Sequence, residues 1–157
     1  MFAETVVDGT YGRFHQDHKA RTFRIFTNKL GEVAFLEYLK SEGKNPDVSG
    51  IFDIRPGTST VDVFDLRTRD GKTVDIKTAS DLFHIRILVP YDQFENNRAK
   101  DYYVGIRMDV ATMRAEICGF TTKERLMSNG KDDSSEGPVY WEYLSDLMPI
   151  RLLVNEI

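Results

Sequence analysis

The stretch from Val61 to Thr78 constrains the fold more than any other part of this chain. Two runs of alternating, β-branched residues flank Asp70-Gly71, and Asp-Gly between such runs is among the strongest short-range signals for a tight β-hairpin. With Asp70 and Gly71 as the two central residues, Arg69 faces Lys72, Leu66 faces Asp75, Phe64 faces Lys77 and Asp62 faces Ala79. Directly opposed residues share a face, and so do residues two apart along a strand. This register predicts Asp62, Asp75 and Lys77 on one side of the sheet, with Val61, Val63, Val74 and Ile76 on the core side. Asp65 then falls on the valine side with Arg67, although a bulge or a different turn would exchange the two aspartates. Acid-x-Lys is common on any solvated sheet face, so Asp75 and Lys77 alone read equally well as surface decoration.

A helix is expected upstream, from about Lys29 to Glu42, with Asn28 as N-cap and Gly43 as the stop. On a helical wheel of about 100° per residue, Glu32 falls between Phe35, Leu36 and Leu39 on the apolar arc. A glutamate there is costly unless paired or metal-bound. The plainer reading is a partly exposed glutamate near a helix N-terminus, where the dipole favours it. Before this helix, residues 1–20 read as a solvated arm, and Thr22 to Thr27 as a short strand or tether. His15 and His18 form a His-x-x-His pair, but no further Cys or His nearby completes a ligand set.

Beyond the hairpin, Phe83 to Val89 alternates as a strand whose His84 and Arg86 either reach a phosphate or form a wet face. Pro90 opens a short helix to about Lys100 that carries Gln93, Asn97 and Arg98. Asp101 to Met108 and Arg114 to Phe120 form a second hairpin, and Thr121-Thr122-Lys123-Glu124 is a capping box for a helix through Met127. Residues 128–137 are polar and rich in Gly and Ser, the composition of a mobile surface loop. Tyr140 to Leu144 and Ile150 to Val154, with Pro149 between them, should return to the sheet, and Asp53 lies on a short expected strand from Ile51 to Ile54.

The 157 residues suit one domain with a real core. Cys118 is the only cysteine, so no intrachain disulfide forms and a reducing, cytoplasmic setting is expected. No apolar run is long enough to span a bilayer, and the N-terminus does not read as a signal peptide. A net charge of -4 argues against coating nucleic acid by bulk electrostatics, while leaving room for clustered carboxylates and a local basic patch.

An aspartate on one strand and an acid-x-lysine on the next, antiparallel strand resembles the active site of the PD-(D/E)xK nuclease superfamily. Restriction endonucleases, Holliday-junction resolvases and compact phage and bacterial enzymes belong to it. Asp62 matches the first acid, with Asp65 its rival, and Asp75-Ile76-Lys77 matches the acid-x-lysine; Val61 stands where the family name has proline. The resemblance is strongest over residues 30–109. It implies an α+β fold with a central mixed sheet of about five strands flanked by helices. It also implies a Mg²⁺ site, with Mn²⁺ as substitute, held by Asp62, Asp75 and the Ile76 carbonyl, with Glu32 completing it. Lys77 would act on the attacking water, and Gln93, Arg86 and Arg98 would hold the substrate. The activity implied is hydrolysis of DNA phosphodiesters to leave 5′-phosphates, commonly by a homodimer. The rival is a non-catalytic module that binds nucleic acid or protein on the same fold, and a third possibility is a phage structural or assembly protein.

Overall fold

The computed structural model describes residues 18–46, 48, 65–80, 83–135 and 137–157. In chain order the elements are α1 (His18–Ser41), β1 (Leu66–Arg67), β2 (Thr73–Ala79), β3 (Arg86–Pro90) and α2 (Tyr91–Glu95). They continue with β4 (Tyr102–Asp109), β5 (Arg114–Thr122), α3 (Lys123–Ser128), β6 (Lys131–Ser134), β7 (Gly137–Tyr143), a 3₁₀ turn (Leu144–Asp146) and α4 (Ile150–Val154). The fold is α+β. A mixed four-stranded sheet, ordered β1-β2-β4-β5, is joined by a three-stranded sheet ordered β3-β7-β6. Among the described residues no helix is long and apolar enough to cross a membrane. The expected Ile51 to Ile54 strand, with Asp53, lies outside the described residues, as do Asp62 and His15.

The period-2 pattern of β2 divides the molecule. Val74 and Ile76 face a core built with Leu66, Val104, Ile106 and Phe120, which is closed by Phe35 and Leu39 of α1 and by Leu153 and Val154 of α4. Asp75, Lys77 and Ala79 face the other way. On that side Ala79 and Tyr103 pack with Ile87, Val89, Tyr140 and Leu144 of the second sheet and its 3₁₀ turn. Gly105 on β4 lets the second sheet come close, because a Cβ there would lie 2.6 Å from Leu147 Cδ1 and 2.9 Å from Leu144 Cδ2.

The hairpin turns at Asp70-Gly71, but one residue out of the expected register. Leu66 pairs with Val74 and Arg67 with Thr73, so Leu66 does not face Asp75. The turn has three loop residues rather than two. Gly71 N–H donates to Thr68 O at 3.0 Å, Thr68 N–H donates to Lys72 O at 2.9 Å, and Gly71 takes φ +85°. This is a type I turn closed by a glycine in the left-handed region, the common three-residue hairpin. A one-residue slip exchanges the faces of a whole strand. It moves Asp65 from the valine side to the side of Asp75.

Four other expectations change. Residues 18–28 are neither arm nor strand but the first half of α1, so Asn28 lies inside the helix rather than capping it. Thr27 Oγ1 there donates to Phe23 O at 2.8 Å, one turn back. Gly43, at φ +75°, does end the helix as expected. Residues 128–137 are not a loop: β6 pairs antiparallel with β7 from Lys131↔Tyr140 to Ser134↔Gly137. The helix after Pro90 stops at Glu95, and Asn97 has φ 56°. Strand β3 starts at Arg86, leaving Phe83 and Ile85 exposed.

Candidate active site

Glu32 sits on α1, in line with Phe35 and Leu39, and is buried with them at 6 % exposure. Helical spacing of three and four puts these residues on one face. That face lies on β2, so Glu32 is carried to the sheet by the residues that build the core. Its carboxylate receives Lys29 Nζ at 2.9 Å, one turn before it on the same helix.

Asp65, 9 % exposed, precedes the first paired residue of β1. Its Oδ2 accepts from Ile76 N–H at 2.7 Å, taking the place of a backbone acceptor where the ladder begins. Asp75, on β2, is 16 % exposed and holds Lys77 Nζ at 2.9 Å, with Lys77 32 % exposed. Burial raises the Asp65 carboxyl well above its ordinary value, and the charges of Asp75 and Glu32 raise it further. Glu32 is likewise raised by burial, against the lowering effect of Lys29 and with a further push from Asp75. Burial would lower the Lys77 ammonium, but Asp75 beside it more than offsets this and holds it protonated. Two lysines are thus drawn in against the acids, Lys29 on Glu32 and Lys77 on Asp75.

The next strand extends the site. Asp75 is paired with Tyr103 and Lys77 with Gly105 in the parallel β2–β4 ladder. The Tyr103 ring lies under Lys77, its centroid 5.9 Å from Nζ. The Tyr103 hydroxyl accepts from Lys100 N–H at 2.8 Å and donates to Gln93 Oε1 at 3.4 Å. Burial and the nearby Asp75 push this phenol up to about 12, although the Lys100 N–H favours its ionised form. Gln93 is thus buried within reach of the acid-x-lysine, through Tyr103.

The other sequence candidates are distributed differently. Arg86 is on the second sheet, bound to Asp132 Oδ2 at 3.1 Å and stacked 5.1 Å from the Trp141 ring centre, away from the acids. Arg98 binds Asp92 Oδ2 at 2.8 Å beside α2. The Ile76 side chain is in the core, and its N–H is the one that binds Asp65. Sequence reasoning passed over Lys29 and Tyr103. Lys29 was visible as the i−3 partner of Glu32. Tyr103 had no local signal, because a parallel pairing between distant strands brings it in.

The donors suit a hard divalent cation: all are carboxylate oxygens, with no imidazole or thiolate among them. Among the described residues, no group of three or more His, Cys, Asp or Glu side chains is arranged to hold a metal ion. Glu32 and Asp75 are instead each turned to a lysine. Against known proteins, no family model, no curated sequence and no solved structure matches this chain.

Proposed function

We propose that this chain is a metal-dependent endonuclease that hydrolyses DNA phosphodiester bonds and leaves 5′-phosphates, working in the cytoplasm as a homodimer. The observation that carries the reading is the meeting of Glu32, Asp65 and Asp75 beside Lys77, where β1 joins β2. In this reading Asp65, rather than Asp62, is the first acid, supported by its carboxylate oxygen accepting from Ile76 N–H, the residue next to Asp75. A bound Mg²⁺ would supply Lewis acidity toward the scissile phosphate and a water of lowered pKa.

The protein's own residues do the rest. Asp65 and Asp75 present oxygens from neighbouring strands, and Glu32 approaches from the helix. Lys77, held charged by Asp75, is placed to orient the attacking water or to steady charge growing on phosphorus. Asp65, Asp75 and Glu32 would hold the metal, and Lys77, 2.9 Å from Asp75, would turn its ammonium to the phosphate. Tyr103 supports the Lys77 stem from below and ties it to Gln93.

The test is a cleavage assay on supercoiled plasmid, single-stranded DNA and a four-way junction with Mg²⁺ or Mn²⁺. Metal-dependent cutting by the wild type is expected, reduced about 10²–10⁴-fold in Lys77→Ala and lost in Asp75→Ala. Asp65→Ala should lose cutting and Asp62→Ala should keep it. DNA binding without cutting, unaffected by Asp75→Ala and Lys77→Ala, would leave the non-catalytic module as the better reading.

A further inference from the structure

The contact that brings Glu32 to the sheet is made by its neighbour. Gly31 is buried in the interior of α1, although glycine is a weak helix former there. A Cβ at this position would overlap Thr78 Oγ1, and it would lie 3.0 Å from both Cβ and Cγ2 of Thr78. Thr78 is on the face of β2 that carries Val74 and Ile76, the face α1 covers. Among the described residues its buried Oγ1 has no hydrogen-bond partner, so this hydroxyl is pressed against the helix rather than recruited by it. Thr78 does not yield freely, since β-branched side chains are stiff at χ1 and its Cβ, which no rotamer moves, already lies 3.0 Å from that position.

We propose that Gly31 is the positioning residue of the acid cluster. By lacking a side chain, it seats α1 on β2 at Thr78, so that the next residue, Glu32, reaches Asp65 and Asp75. A side chain at 31 would lift the helix, and the whole displacement would appear one residue away at a carboxylate that must meet a cation within a few tenths of an ångström. The inference rests on the acid cluster being a metal site. It adds a residue that touches neither metal nor substrate.

The experiment is Mn²⁺ titration of the metal-free protein, reading free Mn²⁺ by electron paramagnetic resonance, with circular dichroism to check the fold. Gly31→Ala should weaken Mn²⁺ binding by about 10-fold or more, the scale on which supporting groups act on metal sites. Adding Thr78→Ala to it removes the overlapping hydroxyl and methyl and should restore most of the affinity. In a Glu32→Gln background, Gly31→Ala should add almost nothing, since both act through one carboxylate. If Gly31→Ala does not fold, Thr78→Ile fills the same gap from the strand side and should give the same loss and the same non-additivity with Glu32→Gln. Wild-type affinity in a folded Gly31→Ala protein, or an equal loss with Glu32 already replaced, would overturn the proposal. Absence of Mn²⁺ binding by the wild type would instead remove the metal-site reading itself.

Discussion

Asp65 carries the sharpest electrostatic consequence at the residue scale. Burial, Asp75 and Glu32 all raise its carboxyl, so the folded protein holds this proton more tightly than the unfolded chain does. Stability from such a group is fully present below the unfolded value, near 4, and is lost as pH rises through the folded value. Glu32, also raised, acts with the same sign. The metal-free protein should therefore lose stability as pH rises above about 4 relative to Asp65→Asn, which keeps an oxygen for Ile76 N–H and carries no charge. At about pH 8 the variant should melt higher, by roughly 2–4 °C for each kcal/mol of repulsion removed. Thermal melts of both proteins across pH check this, and parallel curves would show that Asp65 bears no such strain. The acid-x-lysine and the inward glutamate were legible residue by residue. The face that Asp65 takes was not, because it hung on the length of a turn.

At the scale of elements, strong local chemistry was read correctly and weak local chemistry was not. The hairpin's Asp-Gly, the strands β4 and β5, and Gly43 as a helix stop each follow from turn and cap residues whose backbone geometry is built in. The capped helix α3 also forms, with Thr122 as its N-cap: its side-chain oxygen accepts from Arg125 N–H at 3.2 Å. Thr122→Ala should cost about 1 kcal/mol, measured as a lowered urea midpoint with unchanged slope; an unmoved midpoint would show that packing alone holds the helix. Two elements were misread for opposite reasons. Thr22 to Thr27 is apolar enough to imitate a short strand, yet Ile25, Gly31, Glu32, Phe35 and Leu39 are buried along one continuous helix. Strand β6 has no buried residue, so its polar sequence could only look like a loop. Its pairing with β7 is what orders it.

Across the whole molecule, the site depends on joints between distant parts. The hairpin tip is tied to the chain's end, where Arg69 N–H donates to Glu156 O at 2.9 Å and Arg69 Nη2 to Asn155 O at 2.5 Å. On β5, Gly119 has φ +140°, and a Cβ there would overlap the Met148 carbonyl and lie 2.9 Å from Leu147 Cβ. This is where the segment leading into α4 crosses the sheet, held by Phe120 N–H to Met148 O at 3.0 Å and Met148 N–H to Phe120 O at 2.8 Å. Gly119→Ala meets backbone rather than a movable side-chain tip. It should destabilise the fold by about 1–3 kcal/mol, read from chemical denaturation. A wild-type midpoint would mean that the crossing segment yields.

The sequence by itself determined that β2 is two-faced, with Val74 and Ile76 inward and Asp75 and Lys77 outward, because side-chain alternation along a strand is a property of the backbone. It determined equally that Glu32 belongs to the apolar arc of its helix, since that follows from 3.6 residues per turn. Tertiary structure alone decided which partners meet there. The slipped register faced Asp65 toward Asp75, the parallel β2–β4 pairing set Tyr103 under Lys77, and the Gly31–Thr78 contact fixed how near Glu32 comes. Each is a relation between segments far apart in the chain, set by packing and ladder geometry that no local pattern encodes.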